Sequence, residues 1–266
     1  MIKMFATDLD GTLLGHGNYL KPKDIEAIAK IKNEMEFTVA TGRLDREITE
    51  IFKALKTTGH RVSQNGSFVY SEDNNMIHSH TFDPKLGKTL HEAIVGYEQL
   101  FCIMTADDIY VSERTPEIKA MEHLFYFDLK EGVDFVESYG KAIHPSKYML
   151  LGEPDEVNQL QEKIRSEIFH EEIVTYMSDK RCLDILPRGI SKAFGLEKLA
   201  LERGINVDEI AVIGDSFNDI PMFEMTPHSY VMSQAPAAVK EKANFVVDHV
   251  HEAVSDVLKK MNTVKA

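Results

Sequence analysis

The sequence has no tryptophan, only two cysteines and no excess of positive charge. Each absence removes a class of function. Cys102 and Cys182 are too few and too far apart for a disulfide framework or a zinc pattern. Both lie in apolar stretches, as buried thiols do. Lys and Arg number 30 against 43 Asp and Glu, a formal net charge of −13. So acidic a chain repels a phosphate backbone, which argues against a nucleic-acid partner. It leaves room for a small anion, because one lysine or metal ion reverses the field within a single cleft. No run approaches the ~20 apolar residues of a membrane span. Asp8 and Asp10 interrupt any apolar signal region near the N-terminus. No membrane partner is expected, and the thiol usage points to a reducing cytoplasm.

What is present fits an ordinary globular protein. The chain has 266 residues, of which 43% are hydrophobic and 27% charged. That length suits one large domain or two modest ones. No repeat or low-complexity tract interrupts it.

Residues 2–7 read as a short buried strand stopped by Asp8-Leu9-Asp10-Gly11. Ile25, Ile28, Ala29 and Ile31 recur at helical spacing, with Pro22 near the start, where its missing N–H costs little. Residues 36–40 form a second strand, ended by Thr41-Gly42-Arg43. A helix follows with Ile48, Ile51, Phe52 and Leu55 on one face, then a third strand over 61–64, closed by Asn65-Gly66. Such alternation signals a parallel α/β sheet. Residues 68–70 and 76–80 pattern as a hairpin. From 83 to about 187 the alternation lapses. Helices are expected at 85–97, 116–125 and 155–168, and strands at 100–104, 109–111, 147–151, 173–177 and 182–185. Alternation resumes with a helix at 191–203 and a strand at 210–213, and a final helix is expected near 251–260. The economical topology is an α/β domain built from both ends of the chain around an inserted α+β domain.

Four places could carry chemistry. Asp8-Leu9-Asp10-Gly11-Thr12 sets two carboxylates at the carboxyl end of an apolar strand, where open α/β sheets bind ligands. In extended chain both acids share a face, so they need a cation or one must hold a proton; for a cation Mg²⁺ is the usual choice. A calcium loop fails, because Leu13 and Tyr19 stand where Gly and Glu belong. A plain turn, or the Asp-x-Asp metal site of some nucleotide-sugar transferases, stays open. Thr41-Gly42-Arg43 could face an anion or simply cap a helix. Lys192, at a helix start, opposes the helix dipole; it is either solvated or recruited to a carboxylate or phosphate. Gly214-Asp215-Ser216-Phe217-Asn218-Asp219 adds two acids and an amide at another strand end. The His91-Glu92 and His251-Glu252 pairs are no zinc-protease helix, since Val95 and Ser255 replace the second His.

Taken together and in order, these four sites resemble the haloacid dehalogenase superfamily of phosphohydrolases. The large insertion between the second and third resembles the Cof-type branch, and the likeness spans essentially the whole chain. It implies an α/β fold: a Rossmann-like parallel-sheet core over 1–82 and 189–266, with an inserted α+β cap of C2 type over 83–188. It implies Asp8 as nucleophile, forming an aspartyl phosphate, and Asp10 as general acid–base. Lys192 would neutralise charge between Asp8 and the phosphoryl group. Leu9, Thr41, Gly42 and Asn218, with Lys192, would contact phosphate. Arg43 would reach the substrate, and Asn65 would lie near its mouth. Mg²⁺ would be held by Asp8, the Asp10 backbone carbonyl and Asp215, with Thr12 and Asp219 in support. The partner would be a small phosphorylated metabolite: a sugar phosphate, flavin mononucleotide or a flavin precursor, or pyridoxal phosphate. A monomer and a homodimer are both open. The alternatives are a phosphomutase using the same aspartyl phosphate, and a non-catalytic regulator in which phospho-Asp8 is a signal.

Overall fold

A computed structural model describes residues 1–95, 100–122, 125–131, 134–168 and 171–265. The chain forms two compact units, one of residues 1–79 and 191–266 and one of residues 80–190. From sequence the joins were expected after 82 and after 188.

The first unit begins with β1 (Met4–Thr7), a two-stranded flap of β2 (Leu14–Gly15) and β3 (Tyr19–Leu20), and α1 (Pro22–Ile31). Then come β4 (Glu36–Ala40), α2 (Asp45–Leu55), β5 (His60–Ser63), β6 (Phe68–Tyr70) and β7 (Met76–Ser79). β1 is apolar on both sides because both faces of the sheet are covered. Phe5 packs on one side with Ile28, Ile51 and Val257. Met4 and Ala6 pack on the other with Leu196, Leu199 and Phe223.

The second unit contains α3 (Pro84–Ile94), β8 (Leu100–Met104), β9 (Ile109–Val111), α4 (Pro116–Met121) and α5 (Phe135–Ser138). β10 (Lys147–Leu151), α6 (Pro154–Lys163), β11 (Ile173–Asp179) and β12 (Cys182–Pro187) complete it. Its antiparallel sheet has the order β11-β12-β10-β8-β9. Phe101, Tyr148, Leu183 and Ile185 on one face bury Leu90, Ile94, Val157 and Leu160. The helix expected at 85–97 stops at Ile94, and residues 96 and 97 lie outside the described residues. The helix expected at 116–125 ends at Met121, and residues 123 and 124 also lie outside them. The helix expected at 155–168 becomes a π-helical turn from Ile164.

The chain then returns to the first unit with α7 (Lys192–Arg203), β13 (Ile210–Gly214), α8 (Ile220–Glu224), β14 (His228–Met232), α9 (Ala237–Lys240), β15 (Phe245–Val247) and α10 (Val250–Lys265). The strand order is β15-β14-β13-β1-β4-β5-β6-β7. From β15 to β5 neighbours are parallel; β6 and β7 run antiparallel. β1 lies between β13 and β4, with Thr7 opposite Ile213 and Val39. That register brings the residues after all three strands to one carboxyl edge, where such sheets bind ligands.

Candidate active site

Asp8 follows β1 and is buried, its N–H bonded to the Ile213 carbonyl at 2.9 Å. Lys192 opens α7 and its side chain is wholly buried. Ser191 caps that helix by accepting the Phe194 N–H at 3.0 Å, which leaves Lys192 free to turn inward. The ammonium donates to Asp8 Oδ1 at 2.5 Å and to Asp219 Oδ1 at 2.6 Å. The unfavourable helix position is thus offset by two carboxylates. Burial alone would lower the Lys192 pKa; Asp219 and Asp8 outweigh it and hold the ammonium charged.

Asp219 accepts at both oxygens. Its second oxygen accepts the N–H groups of Asp215 at 2.8 Å and Ser216 at 2.9 Å. Asp215 lies opposite Asp8, and Thr12 donates to its Oδ1 at 3.0 Å. Gly11 makes this close approach possible: a Cβ there would fall 2.3 Å from Asp215 Oδ2, and its φ is +82°. Burial, then Asp219, raises the Asp215 pKa to about 7. Burial also raises Asp8 well above its ordinary value; Lys192 pulls it back while Asp219, Asp215 and Asp10 add to it.

Oxygens of Asp8, Asp215 and Asp219 lie within 4.8 Å of one another. Three buried or half-buried carboxylates against one ammonium leave a deficit that a divalent cation would cancel. The donors are hard oxygens, which suits Mg²⁺. Asp219 already accepts from Lys192 and from two backbone N–H groups, so Asp8 and Asp215 have the greater capacity for it. Asp8 and Asp215 belong to this cluster, and Asp10 was expected to offer its backbone carbonyl rather than its side chain. The Asp10 carboxylate points elsewhere.

Arg43 takes that carboxylate in a two-point fork, Nε to Oδ2 at 2.8 Å and Nη2 to Oδ1 at 2.6 Å. Nη2 also donates to Asn18 Oδ1 of the flap at 2.7 Å. Arg43 was expected to reach toward substrate; the structure turns it onto Asp10 instead. Thr41 is buried beside it, its hydroxyl accepting the Arg43 N–H at 3.3 Å, and Gly42 is half-buried between them. Asn65, expected near the mouth, is fully buried, its Oδ1 accepting from Asn218 at 3.1 Å. The buried Asn218 Oδ1 has no hydrogen-bond partner among the described residues. Leu9 is fully buried in the apolar core, which restricts it to a backbone contribution.

Sequence reasoning missed Asn18, Glu47 and Gln234. Glu47 is buried, accepts the Leu44 N–H at 3.0 Å and lies 3.5 Å from Arg43 Nη1. A Glu in the first helical turn is a capping signal. Gln234 donates to the Gly11 carbonyl at 2.7 Å, a contact with no sequence signature.

An acid-rich carboxyl edge with one buried lysine is the site of a known class. The chain belongs to the haloacid dehalogenase-like hydrolase family, whose model matches residues 5–258. At the level of class it is a hydrolase. It is 27% identical to the 5-amino-6-(5-phospho-D-ribitylamino)uracil phosphatase YwtE of Bacillus subtilis, over 92% of each chain. It is 25% identical to the HMP-PP phosphatase of Citrobacter koseri, over 97% of this chain and 95% of that one. A crystal structure from Thermotoga maritima superposes with a TM-score of 0.82 at 26% identity, covering 96% of this chain and 97% of the other. Among the described residues no helix is long and apolar enough to cross a membrane.

Proposed function

We propose that the chain is a Mg²⁺-dependent phosphatase of a small phosphorylated metabolite, working through an aspartyl phosphate on Asp8. The observation that carries this reading is the buried Lys192, which bonds Asp8 and Asp219 at once. An ammonium so placed favours the ionised carboxylate that nucleophilic attack requires, against the burial that raises the Asp8 pKa, and a bound cation would add to it. The Asp8 oxygen bonds to phosphorus, the bond to the leaving oxygen breaks, and Asp10 supplies the proton that the leaving alcohol needs. In the second half-reaction water is activated by Asp10 and releases phosphate. Thr41, Gly42 and Asn218 are the phosphate contacts, and Lys192 offsets the charge that builds between nucleophile and phosphoryl group. Asp8, the Asp10 backbone and Asp215 would hold the cation, which supplies charge neutralisation at the phosphoryl oxygens. The segment 80–190 is the specificity unit in this reading. The two curated relatives act on a phosphorylated ribitylaminouracil and on HMP-PP, so a phosphorylated heterocycle or sugar is the class to screen first.

In the test, Asp8→Asn is assayed with 4-nitrophenyl phosphate and Mg²⁺. Turnover is expected to vanish with an unchanged circular-dichroism spectrum. A chelator should silence the wild-type enzyme and added Mg²⁺ restore it. Retained activity in Asp8→Asn sinks the nucleophile assignment; indifference to the chelator sinks the metal.

A further inference from the structure

The geometry points to Arg43 as a positioning residue that holds Asp10 as a base for the water of the second half-reaction, an assignment that rests on the proposed function above. Three observations carry it. First, both Asp10 oxygens accept from Arg43, at 2.8 and 2.6 Å. A guanidinium fork has only donors, so it fits a carboxylate and not a carboxyl group, whose O–H would face an N–H. The arrangement therefore suits the form Asp10 takes after giving its proton to the leaving alcohol. Second, the Asp10 side chain is 56% exposed while Arg43 is 14% exposed. The fork is thus fixed in the protein wall and the carboxylate it holds is open to water. Third, the fork is itself braced. Asn18 of the flap accepts Nη2 at 2.7 Å, and the buried Glu47 faces Nη1 at 3.5 Å. Asn18 sits in the left-handed region at φ 60°, beside Gly17 at φ 70°, so the flap turn is shaped to present that amide.

The step balances without further reagents. The oxygen of water bonds to phosphorus, and the bond between phosphorus and Asp8 breaks, returning its electron pair to the Asp8 carboxylate. The proton of water passes to Asp10, and inorganic phosphate leaves. Asp10 is then protonated for the next leaving alcohol. A lysine at position 43 keeps the charge but offers no planar two-point grip, so Arg43→Lys isolates the geometry.

The experiment is a single turnover of 4-nitrophenyl phosphate by excess enzyme with Mg²⁺. Nitrophenolate release reports phosphorylation of Asp8, and free phosphate reports its hydrolysis. Nitrophenolate leaves without needing a proton, so the first step is insensitive to Asp10. For Arg43→Lys the expected result is near wild-type nitrophenolate release and phosphate release slower by on the order of a hundredfold. Free guanidinium at millimolar concentration should speed phosphate release in Arg43→Ala. Equal slowing of both products overturns the assignment, because a role in binding or folding moves both. Unchanged phosphate release overturns it too. Nitrophenolate release by Asp8→Asn would sink the underlying reading and this one with it. A silent Asp8→Asn with synchronous slowing in Arg43→Lys sinks this one alone.

Discussion

Gly11 shows how little room the site leaves at the scale of one residue. A methyl group there would lie 2.3 Å from Asp215 Oδ2, and the backbone at φ +82° is strained for any other residue. Gly11→Ala is therefore expected to lose about 1–3 kcal/mol of stability from the backbone alone. It should also lose activity on the order of a hundredfold, because Asp215 must shift. Thermal melting and steady-state kinetics on one preparation check both; an active Gly11→Ala enzyme would show that Asp215 tolerates displacement. The residue scale is also where sequence reading stopped. For Lys192 the helix start left a solvated and a recruited lysine both open; the family resemblance gave it a role, and its two carboxylates resolve the conflict with the dipole. The target of Arg43 was not legible. Its fork on Asp10 spans 33 positions and depends on side-chain torsions that no local pattern encodes.

Among elements, α10 is held by a cap from another helix. Asp24, fully buried in α1, accepts the His251 N–H at 2.9 Å and pairs with His251 Nδ1 at 2.7 Å. It thus satisfies one of the open donors at the α10 start, as a local cap residue would. Asp24→Ala is expected to cost about 1–2 kcal/mol in urea denaturation, and Asp24→Asn, which keeps an acceptor, to recover part of it. An unchanged midpoint in Asp24→Ala would show that apolar packing of α1 on α10 suffices. Long elements such as α1, α2 and α7 were legible from their apolar spacing. The flap was not: β2 and β3 have two residues each, too short for any alternation to register. The π-helical turn after α6 escaped for a similar reason, since the apolar spacing runs on through it.

Over the whole molecule buried histidines couple stability to pH, and His91 does so in the second unit. Its ring packs among Phe101, Phe135 and Tyr139, with Nδ1 2.7 Å from the Tyr139 hydroxyl. Burial pushes its pKa below the ordinary 6.5, against a smaller upward pull from Glu92. The unfolded chain then binds the proton more readily, so stability rises with pH across this window. The contribution is complete above 6.5 and is lost as pH falls from there through the lowered folded value. Urea midpoints followed from pH 8 to pH 5 should decline, and His91→Phe should flatten part of the decline. The same slope in both proteins would place the titration in His60 or His228, which are also lowered by burial. The order of the strands has a further consequence, for the protein as it is made. β1 is synthesised well before β13 yet pairs with it, and Asp8 meets Lys192 across 184 positions. The contiguous segment 80–190 can close its own core while β13 is still unsynthesised. The nascent chain therefore carries Asp8 without Lys192 or Asp215 beside it until the whole segment 80–190 has been made.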